Sequence, residues 1–117
     1  PEGVVTMIID ASGDGAGHTL RFTAGIAVDG FGNVYVTGLL SHNAFMIAPS
    51  GIITEIIDAS GDGKGNLLEK PPSIAVGGLN EVYVVGSSSH NVFKIALFVF
   101  SDGFESGDTS AWSGSLP

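Results

Sequence analysis

Residues 58–69 carry oxygen-bearing side chains at a spacing that suits a hard cation. With Asp58 counted as the first of twelve positions, oxygens occur at the first, third, fifth, ninth and twelfth, on Asp58, Ser60, Asp62, Asn66 and Glu69. Ca²⁺ takes about six to eight oxygen ligands and binds loops with this spacing. These five residues are therefore candidate Ca²⁺ ligands. A Gly- and Asp-rich turn whose aspartates bond their own backbone has the same composition, so both interpretations stay open.

Two histidines, His42 and His90, are each followed by an asparagine and could ligate a metal or transfer a proton. A turn between strands also needs polar side chains for its backbone groups, and we expect this structural role. No serine lies on a strained elbow motif, and the chain has no cysteine for thiol catalysis. We therefore expect no catalytic residues, no required cofactor and no enzymatic activity.

A repeat of 48 residues positions all of these groups. Ile8 begins an IIDASGDG segment that recurs from Ile56, and a VYV segment at residues 34–36 recurs at residues 82–84 without a gap. Apolar residues alternate inside each unit, and clusters of Gly, Asp, Asn and Ser separate the runs, which indicates strands and turns. We predict strands at residues 25–29, 33–37, 43–48 and 52–58, and again at residues 73–76, 81–85 and 91–96.

Four antiparallel strands in a unit of roughly 40 to 50 residues are typical of a β-propeller blade. Residues 24–38, AGIAVDGFGNVYVTG, resemble an NHL repeat. The resemblance implies an all-β fold with two NHL-like blades over residues 1–99, in which the GIAVD strand is innermost and the IITEIID strand outermost. It also makes residues 4–10 an outer strand. An acidic tail follows over residues 100–117. Gly77 and Glu81 replace Asp29 and Asn33 in the second unit, which leaves the geometry of that turn open.

The second unit has no outer strand of its own, and residues 4–10 have no blade to complete. Two blades cannot close a ring, since propellers need about four to eight, and unpaired backbone groups on a β-rich segment invite strand addition. We predict strand exchange between copies, giving a homo-oligomeric ring or a filament. The assembly residues would be Val4, Val5, Met7, Ile9, Phe98, Phe100 and Trp112. Alternatively, residues 97–100 supply the missing strand within one chain, which would then be a monomer.

The net charge and the hydropathy of the chain limit the classes of partner that it can bind. The formal net charge of −8 disfavours nucleic acid and anionic membranes, and the longest apolar run, residues 95–100, is far shorter than the roughly 20 residues of a membrane span. Residues 102–112, DGFESGDTSAW, resemble the tails of bacterial extracellular proteins. We expect a structural, self-assembling protein outside the cell or on its surface. The alternative is a Ca²⁺-dependent or other binding module for a glycan or peptide, cut from a larger β-propeller.

Overall fold

The computed structural model describes residues 3–78 and 80–97. Its seven strands are β1 (Thr23–Val28), β2 (Val34–Gly38), β3 (Asn43–Ile47), β4 (Ile53–Ile57), β5 (Ile74–Val76), β6 (Glu81–Gly86) and β7 (Asn91–Ala96). They form two antiparallel sheets in chain order, β1–β4 and β5–β7, which we call blade 1 and blade 2. The predicted all-β fold is confirmed, and each observed strand ends within two residues of its predicted bounds. No described segment forms a helix able to cross a membrane.

The turn between β1 and β2 is built around Asp29. Its carboxylate accepts hydrogen bonds from the Phe31 N–H at 2.9 Å, from Asn33 through the N–H at 3.0 Å and Nδ2 at 2.9 Å, and from the Tyr35 hydroxyl at 2.8 Å. Partial burial would raise the pKa of Asp29, but these bonds outweigh it and hold the pKa below its usual value. Burial, followed by the bond to Asp29, raises the pKa of Tyr35 to about 12.

The equivalent turn of blade 2 keeps the backbone hydrogen bond that joins its two ends, with different side chains. The Gly77 N–H donates to the Glu81 carbonyl at 2.8 Å, as the Asp29 N–H donates to the Asn33 carbonyl at 3.1 Å. The Tyr83 hydroxyl donates to the Glu81 carboxylate at 3.2 Å. The tyrosine hydroxyl of blade 2 therefore donates to a glutamate on strand β6, whereas the tyrosine hydroxyl of blade 1 donates to Asp29 in the turn.

The larger apolar core lies between the two blades. Tyr35, Ala44 and Ile57 of blade 1 are buried there against residues of blade 2 and of the segment that precedes it. The blades approach most closely at their inner edge, where Gly25 leaves no room for a side chain. A Cβ at this position would lie 2.7 Å from the Cα of Ser73. The blade 2 side of the core consists of Leu68, Ile74, Val82 and Val84.

A smaller core covers part of the opposite face of blade 1. Val36, Phe45 and Ile47 are buried there together with Leu20, and half-buried Ile9 packs against them. This core therefore fixes the segment that precedes β1 onto the outer half of the face. Leu20 and Val36 of this core are equivalent to Leu68 and Val84, which lie one repeat later on the blade 2 side of the larger core.

Residues 4–10 were expected to be an outer strand, and they form no strand in the structure. The segment is rich in apolar and β-branched residues, but a strand is defined by ladder hydrogen bonds, and no described strand pairs with this segment. The side chains of Val4, Val5 and Met7 are instead exposed, with Val4 at 94%.

Candidate functional site

Each blade is preceded by a linking loop, and the two loops have the same conformation. Loop 1 covers residues 10–20, and loop 2 covers residues 58–68. Four backbone hydrogen bonds close each loop, and equivalent bonds have equal lengths of 3.0, 3.3, 3.0 and 3.1 Å. In loop 1 they run from Gly13 to Asp10, Asp14 to His18, Gly15 to Ser12 and Leu20 to Ala11. The loops therefore direct the chain into blade 1 and into blade 2 along equivalent paths.

The aspartates of loop 2 bond the loop itself. The Asp58 carboxylate accepts from the Ser60 N–H at 3.0 Å, and the Asp62 carboxylate accepts from the Lys64 N–H at 2.8 Å and from Asn66 Nδ2 at 2.7 Å. For Asp58, the Ser60 bonds lower the pKa; for Asp62, the bonds from Asn66 and Lys64 do so. Within residues 3–78 and 80–97, no three His, Asp or Glu side chains are grouped to hold a metal ion. The assignment of Ca²⁺ to these residues and to Glu69 stays a prediction.

His18 closes loop 1 as Asn66 closes loop 2. Its Nδ1 lies 2.6 Å from the Asp14 carboxylate, and its Nε2 lies 3.8 Å from the carboxylate of Glu55 on β4. The hydrogen bond to Asp14 and then the charge of Glu55 raise the pKa of His18. The sequence offered no role for this residue, because its counterpart is not a histidine. Because His18 and Asn66 occupy the same position in their loops, this equivalence could have predicted that His18 closes loop 1.

The repeated Ser-His-Asn turns tie each blade to its loop. Asn43 Nδ2 donates to the Thr19 carbonyl at 2.9 Å, and the Ser41 hydroxyl donates to Asn43 Oδ1 at 2.7 Å. In blade 2, Asn91 makes the same bond to the Leu67 carbonyl at 2.9 Å. The serine and asparagine of these turns therefore satisfy loop backbone groups, which is the structural role expected for them.

The histidine of the first turn makes a contact that sequence reasoning missed. His42 Nδ1 accepts a hydrogen bond from the backbone N–H of Lys70 at 3.0 Å. His42 lies between β2 and β3 of blade 1, and Lys70 lies just before β5, so this bond joins the two blades. The repetition of the histidine was visible in the sequence, but its partner is a backbone group with no signature of its own.

The inner half of blade 1 presents an exposed apolar patch on the face that points away from blade 2. We call it the leading patch, and it consists of Ile26, Val28 and Val34, which the β1–β2 register places on one face. Ile26 is 69% exposed, whereas Ile74, its equivalent in blade 2, is 7% exposed because it packs against blade 1. The leading patch is thus the same apolar surface that blade 2 buries, without a partner in the described residues.

Blade 2 presents the surface equivalent to the one by which blade 1 contacts blade 2. We call it the trailing face, and it consists of Ala75, Tyr83, Val92 and Lys94, the equivalents of blade 1 residues at the boundary between blades. Val92 is 63% exposed, whereas its equivalent Ala44 is fully buried. The outer edge of β7 also pairs with no strand in the described part of the chain.

The predicted assembly residues differ in their exposure, and three of them lie outside the described part of the chain. Val4, Val5 and Met7 are exposed, and Met7 lines, together with Val34 of the leading patch, an open groove of about 430 Å³. Ile9 is half-buried and packs against blade 1. Phe98, Phe100 and Trp112 lie outside the described residues.

A match to a protein family supports the fold. Residues 15–39 match a family described as Beta-propeller repeat (SBBP). No curated protein matches the chain significantly. Among fifteen matching chains of solved structures is one titled "Streptogramin B lyase structure", at 15% sequence identity and a TM-score of 0.37. That match covers 70% of this chain and 28% of the other, so this chain spans under a third of that protein's length. The matched repeat and the two sheets support a β-propeller repeat protein.

Proposed function

We propose that this chain is a structural, non-enzymatic β-propeller repeat protein that assembles head to tail with copies of itself. The equivalence of the two linking loops is the observation that carries the proposal. Loop 2 connects β4, the outer strand of blade 1, to the first strand of blade 2. The same conformation of loop 1 supports a role for residues 4–9 as the outer strand of a blade that precedes blade 1. Blade 2 of another copy, with three described strands and an outer edge that pairs with no described strand, fits that place.

The register of this strand exchange follows from blade 1. There, β3 and β4 pair with Met46 opposite Thr54. Met46 moved forward by one repeat is Lys94, and Thr54 moved back by one repeat is Thr6. This puts Lys94 on β7 of one copy opposite Thr6 of the next. The same operation pairs Ile95 with Val5, as Ile47 pairs with Ile53 in blade 1. The assembly thereby supplies ladder partners for residues 4–10, which pair with no strand in the described part of the chain.

Packing of the faces accompanies the strand exchange. The trailing face of one copy would cover the leading patch of the next, as blade 1 covers Ile74 within the chain. These two surfaces are different, so after pairing one copy keeps its leading patch free and the other keeps its trailing face free. Such a contact repeats until the rotation closes a ring, or continues as a filament if it does not.

Two residues make the junction between copies wider than the boundary between blades. Ser73 stands where blade 1 has Gly25, and Val92 stands where blade 1 has Ala44. Since a Cβ at Gly25 would lie 2.7 Å from the neighbouring backbone, the Cβ of Ser73 needs a slightly larger separation of the inner strands. We expect this wider spacing to weaken association relative to the contact within the chain.

The setting of this function rests on sequence resemblances. Residues 24–38 resemble an NHL repeat, and residues 102–112 resemble the tails of bacterial extracellular proteins. We accordingly place the assembly outside the cell or on its surface, as a bacterial NHL-type scaffold. The same resemblances would also suit a ligand- or Ca²⁺-binding module of a larger propeller.

Light scattering over a concentration series tests the proposal. The wild-type mass should rise in steps of the 11.9 kDa chain. In the double variant Val5→Pro/Thr6→Pro this rise should be lost, because adjacent N–H groups point to opposite strand edges and the change removes at least one ladder donor. The swap Val5→Thr/Thr6→Val is the matched control, since it keeps both backbone N–H groups and two β-branched side chains. A wild-type monomer at every concentration would contradict the assembly and favour the binding module.

A further inference from the structure

We propose that His90 joins neighbouring copies by accepting a hydrogen bond from the backbone N–H of Phe22 in the next copy. The inference rests on the head-to-tail assembly proposed above and names a polar contact that fixes its register. It gives the second Ser-His-Asn turn a role in the contact between copies.

The contact already exists once inside the chain. His42 Nδ1 accepts from the Lys70 N–H across the boundary between the blades, at 3.0 Å. His90 lies one repeat after His42, and Phe22 lies one repeat before Lys70. If blade 2 of one copy faces blade 1 of the next as the blades face each other within the chain, His90 meets the Phe22 N–H.

Both halves of this contact have the required backbone conformation. His90 and His42 have φ angles of 58° and 55°, and Phe22 and Lys70 have φ angles of 56° and 52°. A left-handed conformation is unusual for a bulky residue such as phenylalanine, so it indicates a position that the surrounding structure imposes.

The orientation of Phe22 is fixed from its other side. Its carbonyl accepts from the Leu39 N–H at 2.7 Å, as the Lys70 carbonyl accepts from the Ser87 N–H at 3.2 Å. Over residues 3–78 and 80–97, no hydrogen bond reaches the Phe22 N–H or the imidazole of His90. A donor and an acceptor are therefore held in matching conformations at opposite ends of the molecule, each without a partner in this part of the chain.

The chemistry of the pair selects one orientation of the copies. A neutral imidazole with its proton on Nε2 presents Nδ1 as an acceptor, and the backbone N–H can only donate. Head-to-tail contact brings acceptor to donor. Contact between two trailing faces would leave both Phe22 N–H groups outside the interface and both His90 side chains without this donor. The bond thus disfavours symmetric pairing, which would end growth after two copies.

Two variants of His90 and one control test the proposal. His90→Gly removes the ring and adopts the positive φ freely, so it should weaken association about fivefold, the effect of one net hydrogen bond. His90→Asn should restore it, because Oδ1 is attached to Cγ as Nδ1 is and asparagine tolerates this φ. The control His42→Gly breaks the bond within the chain and should lower the unfolding midpoint, which His90→Gly should leave unchanged in dilute protein.

The second measurement is hydrogen exchange at the Phe22 amide, followed by mass spectrometry on overlapping peptides. Exchange should slow when the wild-type protein assembles, and in assembled His90→Gly it should return to the monomer rate. Unchanged association of His90→Gly, or an unprotected Phe22 amide in the assembly, would overturn the role of His90 and leave the assembly itself standing. A wild-type chain that stays monomeric would overturn both proposals.

Discussion

Replacing Ile26 with alanine should weaken association between copies and leave the folding of one chain almost unchanged. Ile26 is 69% exposed, and at the junction we expect it to be buried like Ile74, which is 7% exposed. Burying about three-fifths of an isoleucine is worth about 1–2 kcal/mol, which corresponds to a dissociation constant about five- to thirtyfold larger. The matched variant Ile74→Ala removes a buried side chain and should cost about 2–5 kcal/mol of folding free energy.

Two assays separate these effects. Sedimentation over a concentration series gives the dissociation constant, and urea unfolding of dilute protein gives the free energy of unfolding. Ile26→Ala should raise the dissociation constant and leave the free energy of unfolding almost unchanged, whereas Ile74→Ala should lower the free energy of unfolding. Both variants change the same residue type at equivalent positions. If Ile26→Ala leaves association unchanged, or destabilises the dilute chain as much as Ile74→Ala does, the proposed burial of the leading patch is wrong.

Three further results are expected. Ser73→Gly should lower the dissociation constant, because it removes the Cβ that separates copies at the inner edge; an equal or higher constant in sedimentation would contradict this. The pKa of His18, followed by NMR, should lie above its usual value and fall in Asp14→Asn. Since this pKa is raised on folding, the stabilisation is complete below the unfolded value of about 6.5 and is lost as the pH rises through the folded value. Ca²⁺ should give a calorimetric binding signal that Asp62→Asn abolishes, and the absence of a signal in the wild type would remove the Ca²⁺ site.

Strand positions were predictable because their signals are local. Alternating apolar residues between Gly-, Asp- and Asn-rich turns mark β1 to β7, and the same turn residues make the observed bonds, as Asp29 does in blade 1. The aspartates of loop 2 show the limit of such signals. Carboxylates spaced for Ca²⁺ and carboxylates that bond their own loop follow the same pattern, so the sequence left both interpretations open.

Properties that depend on neighbours were not predictable. Ile26 and Ile74 occupy equivalent positions in a repeat, and only the presence of an adjacent blade gives them different exposure. The bond from Lys70 to His42 depends on a left-handed backbone that residue type does not encode. Residues 4–10 have the composition of a strand, but a ladder requires a partner, and composition cannot say which chain provides it.

Disulfide trapping in a chain that has no natural cysteine tests the strand exchange most directly. Thr6 and Lys94 are directly opposite in the proposed register, and facing residues of an antiparallel pair have Cα atoms about 4.5–5.5 Å apart, within the range of a disulfide. The account predicts that oxidised Thr6→Cys/Lys94→Cys forms a series of multimers. A mixture of the two single variants should form the heterodimer as its main mixed product. Absence of these species, or equal trapping by Thr6→Cys/Phe93→Cys, in which Phe93 faces the other side of the sheet, would contradict head-to-tail strand exchange.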